Sequence, residues 1–195
     1  MREVELKSVV GDVESARRAV EGAGGTLEFD GELIDLRYAD RAGQMLLQDH
    51  VLRLRVYDDG QTREGHLDWK GPTRYEDGYK VREELSTTVG DPDSLGVMLA
   101  NLGYVVIKEI ERRIAQYSLF GATVRFEVYP RMDALVEVEG TPEAIEAAIG
   151  ATGLDRSGFG SGRLADFVLA FEARTGQKAA VSARELAGEY RYQYE

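Results

Sequence analysis

The 195-residue chain contains no cysteine. That excludes disulfides, thiolate metal sites and cysteine nucleophiles together, and it fits a cytoplasmic protein. Histidine is scarce as well: His50 and His66 are too few for a histidine-rich metal centre. Any metal must therefore be held by oxygen, which favours a hard cation such as Mg²⁺, Mn²⁺ or Ca²⁺. Basic residues are in deficit, 24 Lys and Arg against 35 Asp and Glu, for a formal net charge of −11. Such a chain is a poor partner for duplex nucleic acid, whose affinity comes mainly from phosphate contacts. A basic cavity inside an acidic shell still draws in a small anion. Long apolar runs are missing too. A run such as YVVI, residues 104–107, is far too short to span a membrane. The charged opening MREVE does not read as a signal peptide.

With 43% hydrophobic and 30% charged residues, the composition is that of a globular chain with a real core. Period-two segments predict strands near 2–10, 26–38, 51–58, 63–70, 79–89, 104–118, 122–129 and 134–140. YDDGQ, between two of them, reads as a hairpin turn. Helices are predicted where caps and stops frame an apolar face. DVESARRAVEGAGG starts at Asp12, DPDSLGVMLANLG runs from Asp91 to a stop at Gly103, and TPEAIEAAIG runs from Thr141 to Gly150. GRLADFVLAFEARTG is a longer amphipathic helix. No linker, repeat or low-complexity stretch divides the chain. Residues 1–176 are expected to form one α+β domain, with an aromatic, charged tail over 177–195 to which the sequence assigns no role. Eight antiparallel strands are enough to close a barrel.

Charged residues recur at alternate positions, and residues two apart on a strand share a face. EVELK aligns Glu3, Glu5 and Lys7, and LRLR aligns Arg53 and Arg55. LDWK aligns Asp68 and Lys70, YKVREEL aligns Lys80, Arg82 and Glu84, RFEVY aligns Arg125, Glu127 and Tyr129, and LVEVE aligns Glu137 and Glu139. For any one strand this pattern describes an ordinary solvated sheet face. The set points elsewhere. Carboxylate pairs lie on the first and last strands, which become neighbours if the sheet closes, and arginines cluster on the middle ones. Clustered carboxylates repel unless a cation separates them, and a basic wall calls for a polyanion. A metal-bound polyphosphate satisfies both.

EVELK is an ExExK signature. It is followed in order by LIDLRY, VLRLR, LDWKGP, YKVREEL, LANLGY and ALVEVEG. From the first glutamate to Glu139 the chain resembles the CYTH superfamily, the triphosphate tunnel metalloenzymes, with a layout most like class IV adenylyl cyclases. The resemblance implies an eight-stranded antiparallel barrel forming a tunnel, with helices outside. It implies Mg²⁺ or Mn²⁺ on Glu3, Glu5, Glu137 and Glu139. Glu127, counted with them as a metal residue, stands where the family usually has aspartate and is one methylene longer. Lys7, Arg53, Arg55, Lys70 and Arg82 are implied to bind the triphosphate, with Glu84 in the tunnel's charge network. On the sixth strand KEIERRIAQY leaves Arg112 and Arg113 as alternatives, one on each face. Lys7, with a lowered pKa, Tyr129 or a metal-bound hydroxide would serve as base. The implied activity is conversion of ATP to cyclic AMP and pyrophosphate, or hydrolysis by an inorganic or thiamine triphosphatase. A non-catalytic polyphosphate or nucleotide sensor is a weaker alternative. The expected partner is a small-molecule triphosphate (ATP, inorganic triphosphate or thiamine triphosphate), with no duplex nucleic acid and no membrane. A second copy of the chain, in a homodimer, is one partner the tail could take.

Overall fold

A computed structural model describes residues 2–77 and 79–192, leaving the side chains of Arg2, Glu3 and Lys80 outside the description. Its strands are β1 (Arg2–Val10), β2 (Thr26–Asp40), β3 (Val51–Asp58), β4 (Arg63–Lys70), β5 (Arg74–Glu76), β6 (Tyr79–Val89), β7 (Tyr104–Leu119), β8 (Ala122–Val128) and β9 (Ala134–Glu139). They form one antiparallel sheet in the order β1-β9-β8-β7-β2-β3-β4-β6-β5. β1 also pairs with β6, Glu3 opposite Arg82 and Glu5 opposite Lys80, so the sheet returns on itself as a hydrogen-bonded ring. All eight predicted strands are present. The additional β5 pairs with the start of β6.

The helices lie outside the ring: α1 (Val13–Gly22), α2 (Gln44–Leu47), α3 (Pro92–Asn101), α4 (Pro142–Ala151), α5 (Leu164–Thr175) and α6 (Ala183–Leu186). The predicted caps are used. Asp12, Asp91 and Thr141 accept from the backbone N–H groups of Ser15, Ser94 and Ala144. Gly103 ends its helix with φ of +93°. Gly150, expected as a stop, is internal to α4. Gly153, with φ of +74°, occupies the left-handed turn instead.

Alternation along the strands turns the usual arrangement inside out. Val4, Leu6, Val124, Phe126, Val136 and Val138 point out of the ring and pack against Ala16, Val20, Ile145 and Ile149 of α1 and α4. On the far side, Tyr38 and Leu54 pack against Leu99 of α3. Each fully buried apolar side chain of this size stabilises the fold by about 1.5–3 kcal/mol. The apolar core therefore sits between ring and helices, and the charged positions face inward.

The C-terminal segment is built into this structure. Ala180 exchanges two backbone hydrogen bonds with Arg131, at 2.8 and 3.0 Å, and Glu111 N–H donates to Val181 at 2.7 Å. Buried Glu185 accepts from Lys108, from the Val181 N–H at 2.8 Å and from the Tyr192 hydroxyl at 3.2 Å. Val181, Ile110, Tyr129 and Leu135 form an apolar cluster with Leu164 and Phe167 of α5. The last three residues, 193–195, lie outside the described ones. No helix among the described residues is long and apolar enough to cross a membrane.

Candidate active site

The ring encloses a cavity of about 720 Å³. The predicted alternation places its wall strand by strand. β1 contributes Glu5 and Lys7, β3 Arg53 and Arg55, β4 Lys70, β6 Arg82 and Glu84, β7 Arg112, β8 Arg125 and Glu127, and β9 Glu137 and Glu139, with Tyr129 just past β8. First and last ring strands are neighbours, with Glu5 opposite Glu139 and Lys7 opposite Glu137.

Burial of this many charges is tolerated only because they pair. Two networks do so. On the acidic side, buried Lys7 bonds Glu5 at 2.9 Å and also Glu137, and Arg125 holds Glu137 at 3.0 Å. On the basic side, Arg53 reaches Asp68 at 3.0 Å, Glu84 at 3.3 Å and Asp35 at 3.4 Å, while Arg55 bonds Asp68. Lys70 meets Glu84 at 3.3 Å. Glu84 thus orients three cations of the wall.

These pairings set the protonation states. Burial pulls the Lys7 pKa down, but Glu137, Glu5 and Glu127 together outweigh it and hold the ammonium well above its ordinary value. Burial pushes Glu137 up, yet Lys7 and Arg125 hold its carboxylate well below the usual range. Burial and the neighbouring Glu127 push the Tyr129 phenol well above its ordinary value, and its hydroxyl donates to Glu127 at 2.7 Å. Lys7 and Tyr129, the groups expected as candidate bases, thus both lie in the wall against carboxylates. Asp68 is lowered to about 2: burial opposes ionisation, but Arg55 and Arg53 overcome it.

The alternative on β7 is resolved. Arg112 is buried in the wall and donates to Glu127 at 2.8 Å. Arg113 points out of the ring to Asp30 at 2.9 Å and does not line the cavity, which corrects its expected role in substrate binding. Arg82 lines the cavity, and its guanidinium also donates to the carbonyls of Gly71 and Asp49, each at 2.6 Å, tying two loops to the rim. The Glu3 side chain lies outside the described residues.

Several wall residues lay beyond the sequence prediction. Asp35 is fully buried behind the wall beside Arg53, and Arg37, Arg163 at the α5 cap and Leu164 line the cavity. The period-two pair Asp35 and Arg37 in LIDLRY carried the available signal. Phe29, Tyr57 and Gln116 also line the cavity.

Among the described residues no group of three or more His, Asp or Glu is gathered as a metal site. The donor chemistry nevertheless fits. Glu5, Glu137 and Glu139 supply only carboxylate oxygens from adjacent strands, the set that suits Mg²⁺ or Mn²⁺. Glu127, expected in the same set, is engaged by Arg112 and Tyr129, as Glu137 is by Lys7 and Arg125. Among the described residues, Arg112 Nη1 is buried without a hydrogen-bond partner. A buried donor of that kind calls for an acceptor.

No family model matches the sequence, and no curated protein matches it. Solved structures do share its fold. A "putative adenylate cyclase" from Vibrio parahaemolyticus superposes with a TM-score of 0.73 at 18% identity, covering 86% of this chain and 97% of that one. The Pyrococcus horikoshii protein PH1819 gives 0.70 at 20% identity over 86% and 98%. A "putative adenylyl cyclase" from Hippeastrum, described as having "a dominant triphosphatase activity", gives 0.62 at 15% identity over 93% and 98%. The fold is that of these proteins, and it agrees with the CYTH resemblance carried by the motifs.

Proposed function

We propose that the chain is a metal-dependent enzyme acting on a triphosphate substrate inside the ring, which then forms the closed barrel and tunnel implied by the sequence resemblance. The observation that carries this reading is the convergence of opposite chemistries on one cavity. Arg53, Arg55, Lys70 and Arg112 come from one part of the wall, and Glu5, Glu137 and Glu139 from another. Glu3, Glu5, Glu137 and Glu139 would hold Mg²⁺ or Mn²⁺, which supplies neutralisation of phosphate oxygens and Lewis acidity. Arg53 and Arg55, held by Asp35, Asp68 and Glu84, present preorganised donors to the phosphates. Arg112 Nη1 offers an N–H that lacks an acceptor among the described residues. Lys7, bonded to Glu5 and Glu137, places a cation beside the proposed metal group.

Two reactions use this arrangement. Attack by a ribose 3′-hydroxyl on the α-phosphorus releases cyclic AMP and pyrophosphate, and attack by water on the terminal phosphorus releases orthophosphate. Similarity to the Hippeastrum protein favours hydrolysis as a competing outcome, because that protein carries both descriptions. Incubation with ATP, inorganic triphosphate and thiamine triphosphate, each with Mg²⁺ and then Mn²⁺, followed by product separation, distinguishes them. Cyclic AMP identifies a cyclase, and orthophosphate without cyclic AMP identifies a triphosphatase. No turnover of any substrate would sink the enzyme reading and leave a sensor.

Arg55→Ala removes one charged donor of the wall. A hydrogen bond to a charged group is worth about 1.5–3 kcal/mol, so affinity for inorganic triphosphate should fall about 10- to 100-fold. Calorimetric titration checks this, and unchanged affinity would remove Arg55 from the binding wall.

A further inference from the structure

Attack on phosphorus by a hydroxyl or by water releases a proton, and most groups of the wall are poorly placed to take it. Arginine offers donors only. Of the wall carboxylates, Glu5 and Glu137 are bonded to Lys7, Glu84 to Lys70 and Arg53, and Glu127 to Arg112. Glu139 belongs to the proposed metal group, and the Tyr129 hydroxyl is bonded to Glu127. An imidazole stands apart from these groups. The chain has two histidines; His66 lines the cavity, whereas His50 packs edge to face on Trp69.

The pairing of β3 with β4 sets the position of His66. Arg55 stands opposite His66 in the register, and Tyr57 stands opposite Glu64. Directly opposite residues share a face of the sheet, and all four side chains line the cavity. The imidazole is held from two sides. Its Nε2 lies 2.8 Å from Glu64 Oε1. The Tyr57 ring meets it edge to face with centroids 5.3 Å apart, and Arg55 Nη1 fixes that ring by donating to the Tyr57 hydroxyl at 2.8 Å. A carboxylate on Nε2 selects the tautomer: the N–H sits on Nε2, and Nδ1 keeps its lone pair. The remaining polar neighbours are Asp68, two residues along β4 and bonded to Arg55, and Thr88, opposite on β6. A base that is itself oriented by a further group is the arrangement that activates attacking hydroxyls in enzymes.

We propose that His66 is the general base of the reaction, with Glu64 as its positioning residue. This rests on the triphosphate reading of the cavity. The attacking oxygen forms its bond to phosphorus as the bond from that phosphorus to the leaving phosphate oxygen breaks. The electron pair of the broken bond departs on the leaving phosphate. The proton of the attacking hydroxyl or water passes to His66 Nδ1, and Glu64 pairs the imidazolium that results. The His66 side chain is 26% exposed, which lets it return the proton to water.

The test measures kcat and KM with Mn²⁺ for the best of ATP, thiamine triphosphate and inorganic triphosphate, in the intact chain and in His66→Ala, His66→Gln and Glu64→Gln. General-base catalysis contributes about 10²- to 10⁴-fold, so both His66 variants should lose at least about 100-fold in kcat while KM changes by less than about threefold. Glu64→Gln, which keeps the base and weakens its orientation, should lose less than either, again in kcat. Imidazole added to His66→Ala should restore turnover in proportion to its concentration, which separates a lost base from a lost fold. Unchanged kcat in both His66 variants, or a loss in His66→Ala that imidazole does not relieve, overturns the assignment and leaves the triphosphate reading standing. An intact chain that turns over none of the three substrates overturns both.

Discussion

Glu137→Gln is expected to reduce turnover of the triphosphate substrate by about 100- to 1,000-fold, the scale of removing one preorganised electrostatic group from an active site. Glu137 lies at the centre of the acidic side. It touches both Lys7 and Arg125, with Glu139 two residues along the same strand and Glu5 on the neighbouring β1. Glutamine keeps the shape and loses the charge that Lys7 and Arg125 share and that the proposed divalent metal would use. The loss should come with a higher metal requirement, so that Mn²⁺ titration of the remaining activity saturates at a higher concentration than in the parent. A variant that keeps full activity and the parental Mn²⁺ dependence would remove Glu137 from the metal group. Circular dichroism at the assay temperature separates lost chemistry from lost fold.

The second large effect is on stability. Asp68 is fully buried between Arg53 and Arg55, and its ionisation holds both guanidiniums in place. Removing one member of a buried ion pair leaves the other uncompensated, so Asp68→Asn should cost about 3 kcal/mol. For a chain of this length that lowers Tm by about 6–12 °C. The same group sets an acid limit. Its pKa is about 4 unfolded and about 2 folded, so its stabilisation is present above pH 4 and is lost as pH falls through 2. The parent should therefore lose stability steeply between pH 4 and pH 2, and Asp68→Asn should lose less over that interval. Denaturant unfolding at pH 7, 4 and 2.5 measures both. Equal acid dependence in the two proteins would show that Asp68 is not the titrating partner of the arginines.

Much of the architecture was legible because two local signals are strong here. Alternation at period two marked every strand of the ring, and Asp or Thr caps marked the starts of α1, α3 and α4. The inward face was legible for the same reason: once alternation is granted, Glu5 and Lys7, Arg53 and Arg55, and Glu137 and Glu139 each share a side. What escaped depends on distant partners. β5 is three exposed residues held only by its pairing with β6, and α2 and α6 are single turns with too few residues for a helical period. The choice between Arg112 and Arg113 turned on where the strand irregularity falls. One lies on β2 at Glu28 and another on β7 at Ile107, so β7 keeps simple alternation from Arg112 to Gln116. Asp35 was hidden because its partner Arg53 is 18 residues away on another strand. The tail could not be placed because its position comes from pairing with Arg131, far back in the chain.

The most direct test of the central claim is calorimetric titration of the purified protein with inorganic triphosphate, in the presence and absence of Mn²⁺. If the ring interior is a metal-dependent triphosphate site, binding saturates at one equivalent, tightens with Mn²⁺ and weakens in Arg55→Ala. Absence of saturable binding in either condition would contradict the assignment of the cavity to triphosphate chemistry.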